Sequence, residues 1–477
     1  RNYDLKNHIY SEYLTPSERL DKNIKAIKML KRLENENRSP REYEQAYLAD
    51  YLGWGGLADV FDEEKGGQWL EARNFLKENL SKEEYQQARE STLTAFYTPK
   101  IVIDNMYSIL QNLGFNGGKI LEPAMGIGNF LGNVPSDLKN NTIFRGVELD
   151  SISGRIARQL YPNAKIKIKG FEETYFSNNF FEAAIGNIPF GNIKVNDKDY
   201  NKYNFLIHDY FFAKTIDKVK KGGLIAFVTS SGTLDKKDDS VRKYISKKCE
   251  FVGALRLPDT TFKGMAGTTV TSDIIFLRKR EEEKELEESF LKLDTDENGL
   301  TYNKYFVDNP NMVLGKMVKE SGRFGDVVVC KSNGESLENS FKNVVIEGQT
   351  ADATLTGNSN GECIRFVTCN NLTIKNCIVN VTSSSWGGIQ VYGGTLTLQN
   401  NARVTVESNE LALVGDKGIS ITGSKVTATA NGAKTNAIYS ESGSITINHS
   451  TVEATGTSEG AFPAIYAAGD IMVENGS

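Results

Sequence analysis

The sequence predicts an α/β protein in three stretches: an N-terminal helical segment, an open and mostly parallel sheet covered by helices, and an all-β, β-helix-like solenoid. Three observations carry that prediction. Before residue 91 apolar residues recur at helical spacing, and between about 92 and 280 short apolar runs alternate with helical patterns. Beyond 330, apolar triplets repeat at a near-constant interval in a background of Asn, Ser, Thr and Gly.

In residues 1–91, Ile24, Ile27, Met29, Leu30 and Leu33 form one apolar stripe, opened by the helix-start sequence Thr15, Pro16, Ser17, Glu18. Gly53, Trp54, Gly55 and Gly56 break the pattern, and Trp69, Leu70, Phe75, Leu76 and Leu80 supply a second stripe. Both Trp54 and Trp69 are read as core residues, since tryptophan is mostly buried.

The central stretch offers candidate strands at 119–123, 144–148, 183–187, 223–229, 251–255 and 272–277, with helical patterns at 100–113, 153–160 and 207–219. Such alternation implies a parallel sheet with helices on both faces. Residues 281–329 read as a charged helical connector. From 330 to 477 the triplets Leu372–Ile374, Leu396–Leu398, Ile419–Ile421 and Ile445–Ile447 return after 24, 23 and 26 residues. Units of this length cannot bury an apolar face alone, so they stack.

Composition narrows the function classes. With 10% aromatic and 25% charged residues in 477, the chain has the make-up of several globular domains. No apolar run approaches the roughly 18–20 residues that span a bilayer, and no signal-peptide core opens the chain. It begins at Arg1, as a fragment or a processed form would. Residues 330–477 hold 8 Lys and Arg against 13 Asp and Glu; the first 329 hold 48 of each. A nucleic-acid partner therefore has to be argued from local patches. Cys249, Cys330, Cys363, Cys369 and Cys377 lack zinc-site spacing, and a disulfide among the last three is a minority reading.

Two features carry chemistry. The loop Glu122–Phe130 follows the first central strand, and its Gly126 and Gly128 admit a ligand that a β-carbon would exclude. Glu148 lies 20 residues after Gly128, the separation expected of an acid that binds ribose hydroxyls. The loop departs from the full G-x-G-x-x-G pattern, which weakens a dinucleotide reading, and no phosphate-binding P-loop occurs. The second feature is Asn187, Ile188, Pro189, Phe190, read as closing the third strand. In isolation it fits a strand-ending turn; after a cofactor loop it reads as a clamp for a planar amino-substituted base. Asn187 offers a side-chain carbonyl, Ile188 a main-chain carbonyl and Phe190 a stacking face, while Pro189 stiffens the turn. Methylating an aromatic amine needs such positioning and electrostatics, with no metal. The base would have to leave the duplex stack.

His208 opens a helix after the clamp, with packing favoured over DNA contact. Lys194, Lys198, Lys202, Tyr200 and Tyr203 suit either a solvated loop or one touching phosphates and bases.

On these residues, 92–280 resembles the N6-adenine DNA methyltransferases, and particularly the methylase portion of large helicase–methylase proteins of conjugative elements. The resemblance implies a Rossmann-like methyltransferase sheet, S-adenosylmethionine as cofactor and a flipped adenine in DNA as substrate. It places Phe96, Tyr97, Thr98 and Pro99 beside the methionine end of the cofactor. Glu122, Pro123, Ala124, Gly126, Gly128 and Asn129 fall in the cofactor loop, Glu148 at the ribose and Glu172 near the adenine. Asn187–Phe190 matches the catalytic tetrapeptide, with Ile188 where the family has a first proline. Residues 1–91, with the run Tyr51–Leu57, resemble the segment that precedes the methylase in those proteins; their helicase portion is absent from this chain. Residues 330–477 are similar to repeats of bacterial surface or carbohydrate-binding proteins.

The expectation is a DNA adenine-N6 methyltransferase in the cytoplasm, without a membrane partner. Two alternatives stay open: a catalytically weak cofactor- or DNA-binding module, and a surface-type solenoid with a glycan or surface partner for 330–477.

Overall fold

The computed structural model describes residues 1–8, 14–92, 97–262, 271–322, 325–341, 343–347, 354–359, 364–366, 371–375, 378–383, 387–433, 435–456 and 463–477. The chain divides into two compact units. The first comprises 1–104, 117–233 and 259–274, the second 105–116, 234–258 and 275–477.

The N-terminal segment is helical: α1 (Pro16–Asn35), α2 (Glu42–Ala49), α3 (Gln68–Asn79) and α4 (Lys82–Ser91). Thr15 caps α1 in a capping box, its Oγ1 accepting from the Glu18 N–H at 3.2 Å while Glu18 returns the bond to the Thr15 N–H at 2.7 Å. Leu20, Ala26, Ile27, Leu30 and Leu33 form the buried face, and Asn23 is buried among them. Trp54 packs edge-on between Tyr51 and Phe61. The second stripe is narrower than the sequence implies. Trp69 is half-buried and Leu70 exposed, because α3 buries Ala72, Arg73 and Leu76. Arg73 turns inward to donate to the carbonyls of Val60 and Lys65.

The central sheet holds seven strands: β1 (Gly118–Glu122), β2 (Thr142–Glu148), β3 (Lys165–Ile168), β4 (Phe181–Asn187), β5 (Val219–Ser230), β6 (Cys249–Leu257) and β7 (Ser272–Lys279). Their order is β3-β2-β1-β4-β5-β7-β6, and β1 to β5 pair in parallel. The run 3-2-1-4-5 is the doubly wound order, in which the strand order reverses between β1 and β4. Helices α5 (Lys100–Asn112), α6 (Asn129–Gly132), α7 (Ser151–Leu160), α8 (Ile207–Lys218), α9 (Gly232–Asp235) and α10 (Ser240–Lys248) complete the alternation. The sequence reading misses β3. Its residues, Lys165, Ile166, Lys167 and Ile168, sit on the sheet edge, where only Ile166 is buried and no continuous apolar run is needed. Asn187 thus ends the fourth strand rather than the third.

Residues 281–287 are exposed, as a charged run should be, but not helical. Beyond Glu288 come short elements and an antiparallel hairpin, Lys316–Gly322 with Gly325–Lys331. The expected boundary at 330 falls inside that second strand.

The C-terminal region is all-β, with three parallel sheets of six, five and five strands. Each pairs strands one sequence repeat apart, so that Leu372, Leu396, Ile419, Ile445 and Ile471 fall in register. The first four of these are buried and Ile471 is exposed. Strands here alternate inward and outward, as in Arg403–Ser408, where Val404 and Val406 are buried and Arg403 and Thr405 are not. Cys249 and Cys330 are buried; Cys363, Cys369 and Cys377 lie outside the described residues.

Candidate functional site

In doubly wound sheets ligands bind beyond the carboxyl ends of the strands, where the order reverses. The two sequence motifs occupy that position: Glu122 ends β1, and Asn187 ends its neighbour β4.

The loop after β1 is tied to β2. Met125 donates its N–H to the Val147 carbonyl at 2.9 Å, and the Gly126 N–H reaches Glu148 Oε2 at 2.7 Å. The other oxygen of Glu148 accepts from the Asp150 N–H at 3.0 Å. Two main-chain donors therefore aim the carboxylate of Glu148. Burial, and after it the charge of Asp150, push its pKa up to about 7. Asp150 caps α7, accepting from the Ser153 N–H at 2.8 Å and its hydroxyl at 2.6 Å.

Gly126 (φ +56°) has open space where a β-carbon would stand, as a ligand-facing glycine should. Gly128 differs. At φ +92° its β-carbon would meet the Tyr161 ring at 2.6 Å, so the protein's own packing accounts for that glycine. Glu122 is 1% exposed, and its Oε2 has no hydrogen-bond partner. Burial first, and the Glu148 charge second, hold its pKa well above the usual carboxylate range. Asn129 Oδ1 is likewise buried and unpartnered. Buried polar atoms are ordinarily satisfied, so two orphans on one loop fit a site built to receive a polar ligand.

Across the reversal point, Asn187 Nδ2 donates to Thr98 Oγ1 at 3.1 Å. Thr98 is buried and flanked by half-buried Tyr97 and Pro99; Phe96 lies outside the described residues. That bond fixes the carboxamide with its oxygen turned from Thr98, a contact that no motif spacing announces. Ile188 is buried and bonded through its N–H to Val228 on β5, while Pro189 and Phe190 stay half-buried. Glu172 sits on a short 3-10 turn, Phe171–Glu173, with its carboxylate folded back over Gly170.

The residues after the tetrapeptide are more inward than expected. Tyr200 is buried and donates to Asp217 at 2.6 Å, and His208 is buried in α8. Tyr203 stacks on Phe205, leaving Lys194, Lys198 and Lys202 as the exposed cations. A buried strut lies beneath. Lys214 on α8 binds the Phe171 and Thr174 carbonyls and Asp197, which also accepts from the Tyr210 hydroxyl. Among the described residues no group of three or more His, Cys, Asp or Glu could hold a metal, and no helix is long and apolar enough to cross a membrane.

Residues 80–306 match the family model described as N-6 DNA Methylase, so an N-6 DNA methylase domain occupies that stretch. The cofactor implied is S-adenosylmethionine. Over 194 residues the chain is 32% identical to Defense against restriction protein B of Escherichia phage P1, a match taking 39% of this chain and 8% of the phage protein. The chain thus spans only a small part of that relative. Among solved structures it is similar to a type I restriction-modification methyltransferase subunit from Streptococcus thermophilus (14% identity, 68% of this chain and 92% of that one, TM-score 0.35). It is also similar to the type I restriction enzyme EcoKI M protein (14% identity, 55% and 62%, TM-score 0.30). Likenesses this distant carry no argument about activity.

Proposed function

We propose that the chain methylates the exocyclic N6 of adenine in DNA, with S-adenosylmethionine as donor and the target base flipped from the duplex. The observation that carries this reading is the placement of Glu122 and Asn187 at the ends of adjacent strands across the reversal point, within a stretch matching the N-6 DNA Methylase model.

Bound S-adenosylmethionine supplies an electrophilic methyl group. The chain supplies the rest. Glu148 takes the ribose hydroxyls, and Glu122, Pro123, Ala124, Gly126 and Asn129 line the cofactor loop. Gly128 shapes that loop, Tyr97, Thr98 and Pro99 flank the methionine end, and Glu172 the adenine. Asn187 Oδ1 and the Ile188 carbonyl accept the two hydrogens of the substrate amine, drawing its lone pair out of the ring. Phe190 stacks on the base and Pro189 limits the turn. A base held this way reacts through positioning and electrostatics alone.

The test is transfer of labelled methyl from S-adenosylmethionine to DNA. Asn187→Ala should lower it by at least about a hundredfold, the scale of removing one preorganised polar contact, and leave cofactor binding intact. Equal incorporation by both proteins would refute the assignment. Ile188 in place of a proline favours one second reading, a module that binds cofactor without turnover; calorimetric binding with no incorporation on varied DNA would establish it.

The methyltransferase domain is assigned to 92–280, after the helical segment 1–91 and before the connector 281–329. Residues 330–477 are assigned to a β-solenoid. The in-register parallel pairing of strands one repeat apart supports that assignment.

A further inference from the structure

The main chain at the clamp is held by β5. Asn187 pairs with Val228, and the Ile188 N–H donates to the Val228 carbonyl at 3.0 Å. Neither contact aims the Asn187 carboxamide. That group carries an acceptor and a double donor on one carbon, and a half-turn about its last bond exchanges them. A clamp for an amine needs the oxygen, because the NH2 face would set donor against donor. Two orientations of nearly equal shape therefore differ completely in chemistry, and a neighbour has to select one.

Thr98 is that neighbour. Its Oγ1 accepts from Asn187 Nδ2 at 3.1 Å, across 89 residues of chain. Thr98 is 5% exposed, so water competes little for the bond. The hydroxyl is itself well placed. Pro99 follows, which favours extended backbone at Thr98, and the Pro99 carbonyl accepts from the Val102 and Ile103 N–H groups at 3.0 and 3.2 Å as α5 begins. A β-branched side chain on so fixed a backbone has few rotamers. With the amide nitrogen spent on Thr98, Oδ1 is the atom left to meet an incoming amine.

We propose that Thr98 is a positioning residue for methyl transfer, holding the Asn187 carboxamide with its oxygen towards the substrate amine. Thr98 flanks the cofactor, but its hydroxyl serves the clamp. This rests on the methyl-transfer reading above. Without the hydroxyl the amide nitrogen loses its partner and both orientations become populated, so part of the enzyme meets its substrate with the wrong face.

The test uses the full chain and two readouts, labelled-methyl transfer to DNA and calorimetric binding of S-adenosylhomocysteine. Thr98→Val removes the hydroxyl and keeps the branched shape. It should lower kcat by about tenfold, one hydrogen bond's worth, and leave S-adenosylhomocysteine affinity within about twofold. Thr98→Ser, which keeps the hydroxyl, should recover most of the turnover. Added to Asn187→Ala, Thr98→Val should cost nothing further, since the group it aims is already gone. Parallel losses of affinity and turnover would make Thr98 a cofactor residue. A serine variant as slow as the valine one, or a full extra loss in the double variant, would mean that the hydroxyl does not act through Asn187. Any of these overturns the proposal, as does an unchanged kcat in Thr98→Val. If the unsubstituted chain binds S-adenosylhomocysteine but transfers no methyl, the functional reading fails first and takes this one with it.

Discussion

Glu148 accepts two main-chain N–H bonds, yet burial and the neighbouring Asp150 charge outweigh them, and its pKa stands near 7 against an ordinary 4.5. A carboxyl raised in the folded state contributes stability that is complete below about 4.5 and lost as pH rises through about 7. Glu122, raised in the same direction by burial and by Glu148, adds to that trend. The ligand-free protein should therefore melt lower at about pH 8 than at about pH 5, and Glu148→Gln should flatten part of the difference. In the proposed cofactor site, ribose hydroxyls would donate to the ionised carboxylate, so binding would lower its pKa and release a proton. Cofactor affinity should rise with pH towards about 7 in the unsubstituted chain and stay flat in Glu148→Gln, which calorimetry in two buffers of different ionisation heat will read. Nothing in the spacing of Glu148 from Gly128 announces this titration; it arises from burial, which a sequence does not display.

At the scale of elements, legibility followed periodicity. Helix α1, the six apolar-rich strands β1, β2, β4, β5, β6 and β7, and the repeats beyond 371 each carry a pattern of their own. Edge strand β3 does not, since half its residues face water and pairing with β2 alone holds it. The connection between the clamp and α8 was also opaque, because Lys194–Tyr203 reads as a polar loop while its anchor, Lys214, lies on a helix with nearly every residue buried. Lys214 and Asp197 expose 5% and 10% of their side chains and pair at 2.9 Å. Burial tends to raise the Asp197 pKa, but bonds from Tyr210 and Lys214 prevail and hold it below the usual range. Asp197→Ala would leave a buried ammonium with only two carbonyl partners, at a cost of roughly 3–5 kcal/mol. Urea titration should show that loss, and hydrogen exchange should show the amides of 191–204 opening ahead of β4. Lys214→Met, which removes the buried ammonium and leaves Asp197 the bond from the Tyr210 hydroxyl, should cost less; a cost as large as that of Asp197→Ala would contradict the account.

For the whole molecule, the question is what each region's stability depends on. A ligand of the folded methylase stabilises it by RT ln(1 + [L]/Kd), about 2.7 kcal/mol at a hundred times Kd. The repeat region is held differently, by rows of aliphatic side chains such as Leu398, Ile421 and Ile447, each buried and in register with its neighbour one repeat away. Ile421 is 0% exposed, so Ile421→Asp buries a carboxylate with no partner in the row. The cost should exceed about 4 kcal/mol, the range reserved for unpaired buried charge. Glu122, Glu148 and Asn187 belong to the other compact unit. Scanning calorimetry of the unsubstituted chain should then show S-adenosylmethionine raising the melting of the methylase. Ile421→Asp should lower the melting of the repeats, with the cofactor-induced shift preserved in the variant. Should Ile421→Asp abolish the cofactor shift, the repeats would be a structural requirement of the methylase, and the assignment of separate domains at 92–280 and 330–477 would fall.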